Sequence, residues 1–219
     1  MMTQAPTLAQ IFQEHQGLVA HKFPHHMMIY DRLFASFREN PDISIIEIGI
    51  ANGGSLQLWR KYFGENASVI GIDIQDKTEL ATQSGAKIFV GDQGAHDFWE
   101  IVTPQLGNPH IIIDDGSHRC NDQIMTFDSL FPILQDGGLY IIEDIHTSYR
   151  SAYGGGLRAH GSLIEHLKRM VDDIHIAEHQ RQSNMNHHSH VFSIQLYPNL
   201  AVIEKRNPKY WGGSTMRPA

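Results

Sequence analysis

Two short acidic runs carry most of the chemistry in this 219-residue sequence: Asp114-Asp115-Gly116-Ser117-His118 and Glu143-Asp144-Ile145-His146-Thr147-Ser148-Tyr149. Each follows an apolar, β-branched run that reads as a buried strand. If the two strands are neighbours, their ends gather four carboxylates and two imidazoles at one rim. Carboxylates that close repel and raise one another's pKa. A divalent cation relieves this, and oxygen ligands favour a hard ion such as Mg²⁺, which keeps positions open for water or substrate. Asp115, Glu143 and Asp144 form the expected ligand set. His118, three residues after Asp115, is placed to act as a general base near neutral pH. His146 is the second candidate, and Asp114 can alternatively cap the helix that follows.

Three earlier strand ends carry a second kind of signal. The first leads into Glu47-Ile48-Gly49-Ile50-Ala51-Asn52-Gly53-Gly54-Ser55, whose glycines let backbone approach a ligand and turn into a helix. This G-x-x-x-G-G pattern differs from the G-x-G-x-x-G of dinucleotide sites. The second strand ends in Asp73, 24 residues after Gly49, where an acid can accept hydrogen bonds from ribose hydroxyls. The third ends in Gly91-Asp92-Gln93, a carboxylate and an amide able to reach an adenine edge.

The elements that must position these residues follow from periodicity. Apolar spacing predicts helices over 7–20 and 26–38, then a strand over 43–48, a turn over 49–54 and a helix over 55–63. Strands follow at 68–73, 87–90, 110–114 and 139–143. Helical stretches at 76–84, 95–103 and from Cys120 to Leu134 separate them, the last stopped by Gly137-Gly138. A glycine-rich loop over 147–160 precedes a helix over 161–175. From Tyr149 to His160, with Gly154-Gly155-Gly156, this loop reads as a lid. Such alternation means an α/β, Rossmann-like, doubly wound parallel sheet, with ligands beyond the carboxyl ends of its strands. Runs at 191–197 and 200–204 are joined only by Pro198-Asn199, too short for a parallel crossover, so they close the sheet as an antiparallel hairpin. The expected division is an N-terminal helical segment (1–40), a ligand-binding domain (41–206) and a tail (207–219).

Composition excludes several classes. Hydrophobic residues make up 41% and charged residues 19%, a globular balance. A net charge of −7, with no basic stripe carrying interleaved aromatics, disfavours nucleic acid as partner. No apolar run is long enough to span a membrane and the start lacks a signal core, so a cytoplasmic, soluble protein is expected. The single cysteine, Cys120, allows no intrachain disulfide and reads as a packing residue. Histidine is abundant, 15 against 17 Lys and Arg. His25 and His26 are expected to border the acceptor, and His187, His188 and His190 to lie in a solvated loop.

From Lys22 to Lys205 the sequence resembles the class I S-adenosylmethionine-dependent methyltransferases. It is most similar to the Mg²⁺-dependent sugar O-methyltransferases of macrolide and related natural-product pathways, a group with relatives labelled cephalosporin hydroxylase. The Asp-Asp-Gly-Ser-His and Glu-Asp-x-x-Thr-Ser-Tyr runs are the most specific pieces. Gln195-Leu196-Tyr197 and Val202-Ile203-Glu204-Lys205 also match that family's end. The resemblance implies that Glu47, Gly49, Asn52, Gly53 and Ser55 hold the methionine and sulfonium part of S-adenosylmethionine. It places Asp73 on the ribose and Asp92 with Gln93 at the adenine, with Asp114 in the same cofactor set. Mg²⁺ on Asp115, Glu143 and Asp144 would bind two adjacent hydroxyls of a sugar, and His118 would take the proton before in-line methyl transfer. The segment 22–28 departs from the more aromatic stretch usual in relatives. A small sugar or glycoside acceptor and a homo-oligomer are the implied partners. Three alternatives stay open: a catechol-type O-methyltransferase, a nicotinamide oxidoreductase, and a non-catalytic partner of a hydroxylase.

Overall fold

The computed structural model describes residues 5–175 and 190–207. Its centre is a seven-stranded sheet of β1 (Ser44–Ile48), β2 (Ser68–Asp73), β3 (Lys87–Val90), β4 (Ile111–Asp114), β5 (Leu139–Glu143), β6 (Val191–Tyr197) and β7 (Leu200–Lys205). The spatial order is β3-β2-β1-β4-β5-β7-β6. The first five strands are parallel; β7 runs antiparallel to β5 and β6 antiparallel to β7. The order reverses between β1 and β4, the crevice where open α/β sheets bind ligands. The final hairpin turns through Asn199 at φ 62°.

Helices cover both faces. On one lie α1 (Leu8–Gln13), α2 (Pro24–Phe34), α3 (Gly54–Phe63) and α4 (Leu80–Ser84), packed on Ile45, Ile111, Ile113, Leu139 and Ile141. On the other lie α5 (His96–Val102), α6 (Cys120–Leu130) and α7 (Leu163–Ile174), packed on Ile46, Ile48, Ile112, Tyr140 and Ile142. Strand side chains alternate between faces, and this parity sorts the acids as well. Glu47, Asp115 and Glu143 fall on the α1–α3 face. Asp114, level with Ile142, falls on the other. Cys120 is buried in that second core.

Some boundaries differ from the periodicity. The first helix stops at Gln13 rather than residue 20, because the next residues pad the start of α3. Leu18 N–H donates to Gln57 at 2.8 Å, and a Cβ on Gly54 would meet the Leu18 carbonyl at 2.4 Å. Helix α2 begins at Pro24, suited to a first helical position by its fixed φ, and tightens to a 3₁₀ turn at Ala35–Phe37. Residues 76–79 are not α-helical: Asp76 accepts from Thr78 N–H and Oγ1, an Asx turn that delays α4 to Leu80. The loop read as a lid, Tyr149 to His160, follows the 3₁₀ turn Ile145–Tyr149 and contains a second, Ser151–Tyr153. Gly156 N–H donates to the Ser148 carbonyl, and Gly155 lies so near it that a Cβ would sit 2.1 Å away. These contacts tie Gly155 and Gly156 to the residue just ahead of the loop. Among the described residues no helix is long and apolar enough to cross a membrane. His187 and His188 lie outside the described residues, as does 208–219.

Candidate active site

A cavity of about 520 Å³ opens at the carboxyl rim, lined by the Gly49–Asn52 turn, Asp73, Asp115, His118, Glu143 and Asp144, with Lys22 and Phe23 from the segment ahead of α2. A smaller recess of about 150 Å³ continues beside it past Asp73, Gly91, Asp92 and Gln93 to Ser117. The two halves of the sequence reading, the glycine turn and the acidic rim, therefore share one crevice.

The glycine turn is held close to the acids. Gly49 has φ 81°, and a Cβ there would lie 2.2 Å from the Asp115 carbonyl oxygen. Only glycine lets the β1 and β4 turns approach this near. Asp73 Oδ2 accepts from Ile50 N–H at 3.1 Å and Oδ1 from Gln75 N–H at 2.9 Å, which fixes the carboxylate at the mouth of the recess. Asn52 is exposed on the cavity wall; Gly53 and Ser55 are buried in the turn and the first turn of α3. Asp92 is exposed beside the recess.

Asp115, His118 and Asp144 each point a ligand atom inward, all within 4.8 Å of one another. His118 Nε2 lies 3.6 Å from Asp144 Oδ2, and His146 Nδ1 lies 3.7 Å from Asp144 Oδ1. Asp144 thus stands between two imidazoles, of which only His118 lines the cavity. His118 and Asp144 are non-glycine residues at φ 56° and 53°, a left-handed conformation that costs energy and persists where surroundings enforce it. Thr147 Oγ1 supplies the enforcement, lying 2.9 Å from the His118 carbonyl and 2.8 Å from that of Asp144. Burial holds the His118 pKa below the usual histidine value, against the pull of Asp144 and Glu143, so the ring is neutral and able to accept a proton at pH 7.

Glu143 lines the inner wall of the cavity. Its carboxylate is buried and engaged by Lys22 Nζ at 2.6 Å and Tyr30 Oη at 2.6 Å on Oε1, and His26 Nδ1 at 3.0 Å on Oε2. Burial works against its charge, but Lys22 and His26 overcome that and hold its pKa down at about 2. Lys22 also pairs with Asp115 at 2.6 Å and Glu47 at 2.9 Å. Burial opposes the Lys22 charge, yet Glu143, Glu47 and Asp115 raise its pKa well above normal. Asp115 is raised by burial, against Lys22. The oxygen-rich donors suit a hard divalent cation, with Asp115, Glu143 and Asp144 all lining the cavity.

Three expected cofactor contacts are engaged elsewhere. Glu47 is buried, accepting from Trp59 Nε1 at 2.8 Å and pairing with Lys22, so its side chain supports the floor. Gln93 is buried as a strut: its amide donates to Asp114 at 3.1 Å and Thr126 at 3.0 Å, and its oxygen accepts from Ser117 N–H at 2.6 Å. Asp114 points under the sheet, where burial raises its pKa to about 7. Sequence reasoning missed Lys22, and took His26 as an acceptor neighbour rather than a Glu143 partner. For His26 a signal was available in its spacing of four from Tyr30 within α2, which keeps both on one helix face.

No family model matches the chain. It is 35% identical over 202 residues to the 8-demethyl-8-alpha-L-rhamnosyl tetracenomycin-C 2'-O-methyltransferase of Streptomyces olivaceus, covering 87% of this chain and 53% of that protein. It is 35% identical over 190 residues to the demethylmacrocin O-methyltransferase of Streptomyces fradiae, covering 80% and 47%. Among solved structures, the MycE methyltransferase from the mycinamycin biosynthetic pathway, in complex with Mg and SAH, superposes with TM-score 0.80 at 28% identity, covering 94% of this chain and 56% of that one. A further MycE structure, with Mg, SAH and mycinamycin VI, gives 0.79 at 29% identity, covering 94% and 55%. The chain spans about half the length of the curated relatives it matches. Over most of its own length it is homologous to these O-methyltransferases and has the methyltransferase fold, parallel except for its antiparallel C-terminal strands.

Proposed function

We propose that the chain is an S-adenosylmethionine- and Mg²⁺-dependent O-methyltransferase acting on a hydroxyl of a sugar or glycosylated natural product. The observation that carries this reading is the shared crevice: the Gly49 turn and Asp73 lie in one cavity with Asp115, His118 and Asp144. The relatives' names supply the acceptor class.

Backbone of the Gly49–Gly53 turn holds the methionine end of the cofactor, Asp73 the ribose, and the recess beside Asp92 the adenine. The backbone around Gln93 shapes that recess, while its side chain braces it from beneath. Asp115, Glu143 and Asp144 hold the divalent cation, Glu143 from the inner wall of the cavity. A bound Mg²⁺ would lower the pKa of an acceptor hydroxyl. His118 takes the hydroxyl proton on Nε2, and His146 positions Asp144 from the far side. The alkoxide then attacks the sulfonium methyl in line: an O–CH₃ bond forms, the S–CH₃ bond breaks, and the neutral thioether leaves. Anion meets cation, so charge disappears along the path and alignment in a dry cavity supplies much of the rate.

The test is twofold. Titration with S-adenosylhomocysteine and with NAD⁺ should show saturable binding of the first alone. A methyl-transfer screen over nucleotide sugars, glycosylated natural products and catechols should give turnover on sugar hydroxyls. Binding of NAD⁺ alone, or turnover confined to catechols, would overturn the reading.

A further inference from the structure

Lys22 reaches the floor of the cavity from outside the sheet. Its side chain is only 2% exposed, and its ammonium touches three acids: Asp115 Oδ2 at 2.6 Å, Glu143 Oε1 at 2.6 Å and Glu47 Oε1 at 2.9 Å. Three carboxylates surround this one lysine. An ammonium and a hard divalent cation seek the same ligand, an anionic oxygen. Magnesium needs its oxygens at about 2.0–2.1 Å in near-octahedral array, which a carboxylate oxygen already pointed at an ammonium does not offer. The two cations therefore compete for Asp115 and Glu143.

We propose that Lys22 occupies the cation seat of the metal-free protein, and that a divalent cation enters by displacing its Nζ from Asp115 and Glu143. This rests on the reading of those two acids as cation ligands. Glu47 is built to retain the displaced ammonium. It is buried, already within 2.9 Å of Nζ, and its other oxygen is anchored by Trp59 Nε1 at 2.8 Å. Tyr30 and His26 stay on Glu143 and keep its carboxylate aimed at the seat while the cations exchange. Lys22 is thus a positioning residue that keeps the acids apart-charged and assembled before the metal arrives, and it sets how much free cation the site requires.

Mn²⁺ binding followed by electron paramagnetic resonance, on wild type and Lys22→Met, tests this directly. The expected result is at least tenfold tighter binding by Lys22→Met, and a larger rise in melting temperature on adding Mg²⁺ than wild type shows. Equal or weaker binding by a folded Lys22→Met overturns the displacement while leaving the cation site standing. Absence of binding by both proteins overturns the cation site itself, and the displacement with it. A second measurement needs no loss of the lysine. In ¹⁵N-lysine-labelled wild type, the protected ammonium signal missing from Lys22→Arg should shift on adding one equivalent of Mg²⁺; a signal that does not move contradicts the displacement.

Discussion

Asp114 and Glu143 close neighbouring strands one register step apart, both buried, yet the fold treats their charges in opposite ways. Asp114 turns toward α6, where burial raises its pKa to about 7 and Gln93 and the Gly116 N–H are its donors. Its Oδ2 has no hydrogen-bond partner among the described residues. Glu143 turns toward α2, where Lys22, His26 and Tyr30 surround it and its pKa falls to about 2. The residues that follow, Asp115 and Asp144, line the cavity close to His118. In each acidic pair the first member, the last residue of its strand, is the more deeply buried, and the second, on the loop, is the more open. A run of carboxylates in sequence is therefore not one site but two or three environments, sorted by strand parity and by which element supplies the countercharge.

Replacing the outward members should have the largest effect. Asp115→Asn or Asp144→Asn is expected to bring methyl transfer down to that of chelator-treated wild type, measured with saturating cofactor. His118→Ala should lower turnover by about 10²–10⁴-fold, the usual worth of a general base. S-adenosylhomocysteine affinity, read by calorimetry, should stay near wild type because the role proposed for the ring is on the acceptor hydroxyl. Of the inward members, Glu143→Gln leaves Lys22 and His26 facing a neutral amide. Breaking a buried ion pair costs about 3–5 kcal/mol, which urea unfolding at pH 7 will show. Asp114→Asn should cost little at pH 8.

The two inward acids also predict opposite pH slopes. Asp114 binds its proton more tightly folded than unfolded, so its contribution is full below about pH 4 and is lost as pH rises through about 7. Glu143 binds its proton less tightly when folded, so its contribution is present above about pH 4.5 and is lost as pH falls toward about 2. Unfolding curves across pH should lose the neutral-side decline in Asp114→Asn alone and the acid-side decline in Glu143→Gln alone. Identical profiles for the two variants would erase the distinction between the environments.

The sheet, its parallel order and the final hairpin were legible because strand and helix periods alternate plainly and Pro198-Asn199 leaves room for nothing but a tight turn. The rim was legible because Asp115, His118 and Asp144 follow directly on strand ends. The separation of Asp114 from Glu143 was hidden by reading residue type without parity: Ile112 faces α5–α7 and carries Asp114 with it, whereas Ile141 faces α1–α3 and carries Glu143. Lys22 was hidden for a different reason. Its partners lie 25, 93 and 121 residues away, and nothing local marks a lysine as buried. The engaged side chains of Glu47 and Gln93 show the same limit. Both lie at the strand ends beside the crevice, but tertiary partners decided which way each polar group was used.

One measurement bears most directly on the central claim that the acidic rim and the glycine turn form a single metal-assisted methyl-transfer site. Transfer of a labelled methyl group from S-adenosylmethionine to a rhamnosylated or other glycosylated acceptor is followed before chelation, after removal of divalent ions, and after Mg²⁺ is restored. Transfer that disappears on chelation and returns with Mg²⁺ in wild type, and does not return in Asp144→Asn, is the predicted result. Full transfer by the chelated protein would contradict the account.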